Sequence, residues 1–88
     1  MKRLSIIIPC YNESKNLPLL VSRCKEVANK DSNIEIIIVD NGSNDDTSLV
    51  LDELTSSLTF ITRVKIEVNQ GYGHGILVGL AAATGEIL

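Results

Sequence analysis

Residues 34–47 read IEIIIVDNGSNDDT, and the fold is decided at the junction inside that stretch. Ile34–Val39 is nearly all apolar and β-branched, the pattern of a strand covered on both faces. At Asp40 the character changes within one residue. An acid that directly follows such a run stands at the carboxyl edge of a sheet, where it can accept hydrogen bonds from N–H or O–H groups. Asn41-Gly42 supplies a tight turn. Ser43 or Asn44 can cap the next helix, and Ser43 with Asp45 complements its positive end. Thr47, Val50, Leu51, Leu54 and Leu58 form the inward stripe of that helix.

A strand-then-helix unit lies on either side. Upstream, Leu4–Pro9 (LSIIIP) is a second buried strand. It is followed by a stripe of Leu17, Leu20, Val21, Cys24, Val27 and Ala28. Pro18 is tolerated only in a first turn, so this helix should start near Asn16. Downstream, Phe60–Val68 alternates. Phe60, Thr62, Val64, Ile66 and Val68 lie on one side, and Ile61, Arg63, Lys65 and Glu67 on the other, as in an edge strand partly open to water. Gly71–Gly75 then leads into a third helix through Leu77, Leu80, Ala81 and Thr84, ended by Gly85. Glu86-Ile87-Leu88 opens a fourth strand.

Strand-helix alternation implies parallel strands with right-handed crossovers. The expected fold class is α/β: half of a doubly wound, Rossmann-like, mostly parallel sheet. It has three strands plus the start of a fourth, with helices on both faces. The expected order is third-second-first, with the fourth strand beside the first. Ligands on such sheets sit beyond the carboxyl ends of the strands, where strand order reverses. Here those ends are Pro9–Glu13, Val39–Asp45 and Asn69–Gly75.

Composition narrows the function. The chain is 44% hydrophobic and 22% charged, too apolar for intrinsic disorder, and its 88 residues allow one domain. A net charge of −3 without like-charge blocks gives no footprint for nucleic acid. Cys10 and Cys24 form no CxxC and are expected to be buried reduced thiols. The apolar run after Met1-Lys2-Arg3 stops at Pro9, too short for a signal peptide, and no stretch approaches the ~20 apolar residues of a membrane span. The segment is expected to be cytoplasmic, with any membrane attachment supplied by other regions.

The first turn, Pro9-Cys10-Tyr11-Asn12-Glu13, contains no glycine. A dinucleotide site would carry G-x-G-x-x-G here, and its absence weighs heavily against an NAD, FAD or P-loop protein. A proline, an aromatic ring and two polar side chains suit a flat ring and a ribose. Asn12 and Glu13 would equally serve as a capped helix start. Capping also accounts for Ser43 and Asp45, but poorly for Asp40. Gly71, Gly73 and Gly75 alternate before a helix and would let backbone approach a diphosphate. His74 has no His, Cys or acidic partner at metal-ligand spacing, which leaves a loop histidine or one touching substrate.

Together, P-x-Y-N-E (Pro9, Tyr11, Asn12, Glu13), V-D-x-G-S-x-D-x-T (Val39 to Thr47) and N-x-G with A-x-G-E (Asn69, Gly71; Ala83, Gly85, Glu86) resemble the family 2 glycosyltransferases of GT-A fold. Order and spacing agree along essentially the whole chain. Gly71-Tyr72-Gly73 is most similar to the polyprenyl-phosphate sugar synthases, the dolichyl-phosphate mannose synthase type. Asn41, Asp46 and Gly75 depart from the family's usual Asp, Gly and Ala.

The resemblance implies that residues 1–88 are the N-terminal nucleotide-sugar-binding part of one incomplete glycosyltransferase domain. Pro9, Tyr11 and Glu13 would line a base and ribose pocket with Asn12. Asp40 would recognise the base, between Val39 and the turn Gly42-Ser43, and Gly71 and Gly73 would flank the diphosphate. The donor would be a UDP- or GDP-sugar, and the acceptor a lipid phosphate or saccharide. Catalytic groups and the D-x-D-type motif for Mg²⁺ or Mn²⁺ would follow Leu88. The 88 residues alone are therefore expected to hold no metal and show no turnover, and to self-associate through an exposed first-strand edge. The alternative is a non-catalytic doubly wound module, either an assembly unit or receiver-like. Receiver domains need an acidic pair after the first strand, where Cys10-Tyr11-Asn12 stands, and a late lysine, whereas none lies beyond Lys65.

Overall fold

The apolar run at the middle of the chain becomes the middle of the sheet. The computed structural model describes residues 4–69, 71–82 and 86–87. Its elements are β1 (Leu4–Cys10), α1 (Leu17–Lys30), β2 (Ile34–Asn41), α2 (Thr47–Thr55), β3 (Ile61–Ile66), α3 (Tyr72–Ala82) and β4 (Glu86–Ile87). The strand order is β3-β2-β1-β4, all parallel. This is the α/β half-sheet expected from the alternation, with the fourth strand beside the first.

β2 is buried on both faces because helices cover both. Ile34, Ile36 and Ile38 pack with Leu17, Val21 and Cys24 of α1 and with Leu51 of α2. Ile37 and Val39 turn the other way, toward Ile7, Val64 and the α3 residues Val78 and Ala82. Each fully buried aliphatic side chain contributes about 1.5–3 kcal/mol relative to exposure. The register sets Ile36 between Ile6 and Ile61, and Asp40 between Cys10 and Lys65. Ser5, the polar member of LSIIIP, is buried and donates to Glu35 Oε1 at 2.8 Å on the facing strand.

α1 begins at Leu17 with Asn16 before it and Pro18 in its first turn, as expected. Val27, counted in the inward stripe, is exposed. The third strand differs from the alternation read in Phe60–Val68. It spans Ile61–Ile66 only, Ile61 is buried under α2 with Leu51 and Leu58, and Val68 is 68% exposed. One face of β3 meets α2 at Ile61 and the other meets α3 at Val64 and Ile66, so the face that reads as polar is apolar at its start. Val68 lies past the end of the ladder.

α3 departs most. Leu77, expected inward, is 65% exposed and Ala81 is exposed as well. The line that meets the sheet is Gly75, Val78, Gly79 and Ala82. A Cβ at Gly79 would stand 2.5 Å from Ile7 Cγ2 and 3.2 Å from Val39 Cγ2. Close approach of backbone to sheet, not side-chain volume, therefore selects the packed face. Gly73, His74 and Gly75 lie inside α3, so they are not a loop before it. Thr84 and Gly85 lie outside the described residues.

α2 starts at Thr47 after Asp46, which makes no side-chain cap bond. Neither Ser43 nor Asn44 caps it. Thr47 N–H donates instead to Asp45 Oδ1 at 2.9 Å. The β1 edge is shared: β4 pairs with Leu4 and Ser5, and among the described residues no strand pairs with β1 beyond Ser5 on that side.

Candidate functional site

The turn after β1 and the turn after β2 are joined side by side at the carboxyl end of the sheet, and most of their polar groups are used in the joint. Asn12 adopts φ 51°, a left-handed conformation that asparagine tolerates better than most residues. Its Oδ1 accepts the N–H groups of Asn44 at 2.7 Å and Asp45 at 3.4 Å. Its own N–H donates to Ser43 Oγ at 3.0 Å. Glu13 N–H donates to Thr47 Oγ1 at 3.0 Å, and Ser14 Oγ to Asp45 Oδ2 at 3.3 Å. Thr47 Oγ1 also donates to Asp45 Oδ1. The Thr47 hydroxyl bond is the main reason the Asp45 carboxyl is held below its ordinary range. At about 0.5–1.5 kcal/mol net for each typical bond, this clasp accounts for Asn12, Ser43 and Asp45 without a ligand.

Asp40 is 2% exposed. Its Oδ1 accepts Ser43 N–H at 3.2 Å, and Ser43 Oγ accepts from Asn12, so Asp40 is tied to the first turn through one residue. Asp40 and Glu13 also share a neighbour. The Cys10 thiol is pushed up to about 11 by burial first, then by Glu13 and Asp40, which keeps it protonated and unreactive near neutrality. Asp40 Oδ2 and Asn41 Oδ1 are buried and have no hydrogen-bond partner among the described residues. An unsatisfied buried polar atom costs about 1–3 kcal/mol, more when charged. Such a cost at the carboxyl edge of a doubly wound sheet points to a partner supplied from outside.

A cleft of about 150 Å³ opens between the turns, lined by Pro9, Cys10, Tyr11, Asn41 and Asn69. Tyr11 is 42% exposed, its hydroxyl accepting from Asn44 Nδ2 at 3.1 Å. Asp40, on the α1–α2 face of β2, borders a separate cavity of about 270 Å³ with Ser48, Asp52, Arg63 and Lys65.

The structure thus brings Pro9 and Tyr11 into one cleft with Asn41, while Asp40, paired with Cys10 in the sheet, lines the separate cavity and not this cleft. Glu13 lines a neighbouring apolar hollow with Asn16 and Leu17, its Oε2 accepting from Asn16 Nδ2 at 2.7 Å. The Val39 side chain is wholly in the core. Gly42, at φ 70°, packs against the Val68–Asn69 backbone. A Cβ at Gly71 or Gly73 would meet nothing within 4 Å. Space therefore lies open beside both, and packing within the chain requires neither.

Asn41 and Asn69 went unread as site residues. Asn41 ends β2 and Asn69 follows β3 by three residues, positions that residue type alone does not distinguish from a turn. No group of three His, Cys, Asp or Glu among the described residues could hold a metal ion. No chemical step on these residues is assigned to one.

The sequence matches the family described as glycosyl transferase family 2 over residues 5–88. It is 36% identical over 93 residues to undecaprenyl-phosphate 4-deoxy-4-formamido-L-arabinose transferase of Pectobacterium atrosepticum, covering 100% of this chain and 28% of that protein. The protein of the same name from Klebsiella pneumoniae subsp. pneumoniae is 31% identical over 90 residues, with the same coverage. The chain spans little more than a quarter of the length of these relatives.

Among solved structures, the mannosyltransferase PcManGT from Pyrobaculum calidifontis, in complex with GDP-Man and Mn²⁺, superposes with a TM-score of 0.78 at 26% identity. That match covers 97% of this chain and 26% of that one. S. aureus TarS 1-349 gives 0.74 at 27% identity, covering 98% and 26%.

Proposed function

This chain belongs to glycosyl transferase family 2, and from that premise we propose that it forms the nucleoside-binding part of a glycosyltransferase. The donor is a UDP- or GDP-sugar, and the acceptor a lipid phosphate or saccharide. One observation carries the reading: a buried carboxylate oxygen without a partner among the described residues, Asp40 Oδ2, at the end of β2 where it pairs with Cys10, the residue between Pro9 and the exposed Tyr11.

In this reading the base lies on Tyr11 and Pro9, and Asp40 accepts a base N–H, a bond strengthened by low local dielectric. Glu13 stands toward the ribose. Gly71 and Gly73 leave room for the diphosphate, while Asn12, Gly42 and Ser43 hold the turns that frame the pocket and Val39 supports them from the core. Among the described residues no basic side chain lines the cleft, so the diphosphate charge needs a cation from elsewhere. Mg²⁺ or Mn²⁺ bound by groups outside the described residues would supply it, stabilising the departing nucleoside diphosphate. The GDP-Man and Mn²⁺ in PcManGT support the donor and the metal, and the undecaprenyl-phosphate transferases support a lipid-phosphate acceptor. Among the described residues no helix is long and apolar enough to cross a membrane. The cytoplasmic placement proposed here leaves membrane attachment to other parts of the protein.

Calorimetric titration of the chain with UDP and GDP tests the pocket. Saturable binding of one of them, with no sugar transfer by the 88 residues alone, is the expected result. Flat traces for both would favour an assembly unit instead. We also propose that the β1 edge beyond Ser5 mediates self-association, because an unpaired apolar strand edge templates pairing. Light scattering is expected to report a dimer or larger species, and a clean monomer at high concentration would refute it.

A further inference from the structure

The end of β2 carries a second buried polar side chain that the nucleoside reading does not use. Asn41 is 4% exposed and, following Asp40, faces the opposite side of the sheet, toward α3. Its Nδ2 donates to the Gly71 carbonyl at 3.1 Å. Chemistry decides which way the amide turns: the carbonyl only accepts, so only the NH₂ end can face it. That carbonyl also accepts Gly75 N–H at 3.3 Å, the first turn of α3, and Gly71 N–H donates to Asn69 Oδ1 at 2.7 Å. A Cβ at position 75 would stand 3.1 Å from Asn41 Nδ2, so Gly75 makes room for the amide. With Oδ1 unpartnered, the bond to Gly71 is the one side-chain hydrogen bond that Asn41 makes among the described residues.

We propose that Asn41 is a positioning residue of the donor site. Its amide ties the end of β2 to the carbonyl of Gly71, which through its N–H holds the Asn69 side chain that lines the cleft with Pro9 and Tyr11, and thereby determines how tightly the nucleoside is held. The ligand half of this statement rests on the nucleotide-sugar reading; the tie rests on geometry alone.

Asn41→Asp keeps the shape but exchanges the donor for an acceptor. Ionised, the new carboxylate opposes the Gly71 carbonyl; protonated, its O–H donates and restores the tie. Burial raises the pKa of such a carboxyl above the ordinary ~3.9, so the bond is present at low pH and lost as pH rises. Calorimetry with UDP and GDP, wild type alongside, is expected to show N41D weakened about 10-fold or more near pH 7.5 but within about 3-fold of wild type near pH 5. Asn41→Leu, with no donor, stays weak at both.

Hydrogen exchange at the Gly75 amide, corrected for intrinsic rate and read without ligand, should follow the same pattern, with protection lost in N41D at the higher pH and regained at the lower. Wild-type affinity or undiminished Gly75 protection in N41D near pH 7.5 overturns the proposal, as does a weakening that does not recover on acidification. If the wild-type chain binds neither nucleotide, the donor reading fails by itself and Gly75 exchange still decides the role of Asn41.

Discussion

Gly42→Ala is expected to lower the melting temperature by more than about 10 °C. The residue sits at φ 70°, where a side chain costs about 1–3 kcal/mol in strain. The added Cβ would also lie 2.1 Å from Asn69 N, 2.7 Å from the Val68 carbonyl carbon and 2.9 Å from Asn69 Cα. All three are backbone atoms, so no rotamer change relieves the clash, and overpacking adds about 1–3 kcal/mol more. A domain this small is marginally stable, and each kcal/mol shifts its midpoint by roughly 4–8 °C. The damage lands on the site as well, because relief requires the turn after β2 to part from the Val68–Asn69 backbone that follows β3. Thermal unfolding followed by circular dichroism checks this. A midpoint within about 3 °C of wild type would mean that the two loops do not meet as described.

Asp40→Asn separates recognition from folding. The variant keeps an Oδ1 that still accepts Ser43 N–H, so the clasp between the first two turns survives. What changes is the other atom, where the partnerless Oδ2 becomes an NH₂. A base N–H that met an acceptor now meets a donor, and a charge-assisted bond is lost, worth about 1.5–3 kcal/mol. Nucleotide affinity should therefore fall about 10- to 100-fold while the melting temperature stays near wild type. A variant that binds UDP or GDP as tightly as wild type would remove Asp40 from the site. One that unfolds would instead assign Asp40 to structure. Asp40→Ala is a poorer probe, since it takes away the Ser43 bond too.

The two variants also show where sequence reasoning reached and where it stopped. Asp40 stands out in the sequence because an acid placed directly after IEIIIV has few structural uses, and the structure adds its burial with one oxygen unpartnered among the described residues. Tyr11 and Pro9 stand out because a glycine-free first turn argues against a phosphate cradle, and the structure places both on one cleft. Gly42 was read as a turn residue, and so it is, but the backbone 26 residues onward that it must admit is not written in its own neighbourhood. Ser43 was read as a cap because serine before a helix commonly is one. Its hydroxyl is instead taken by Asn12, 31 residues earlier, and Asp45 receives the helix N–H in its place. Leu77 was placed inward on hydropathy, whereas α3 approaches the sheet along Gly75 and Gly79, where the absence of a side chain is what packs.

Sequence alone determined the order and nature of the elements, the parallel sheet with its central isoleucine-rich strand, and the end of that sheet at which its polar turns gather. Burial of apolar runs follows their local pattern, and a run apolar on both faces requires helices on both sides. Tertiary structure alone decided which polar groups are spent on one another and which are left over. Asn12 meets Ser43, Asn44 and Asp45, and Asn41 meets Gly71, across separations of 30 residues or more. Those meetings depend on strand register, on the face each side chain takes and on where α3 begins. A hydrogen bond requires atoms within about 3 Å of each other, and no local window of sequence specifies distances between its distant parts.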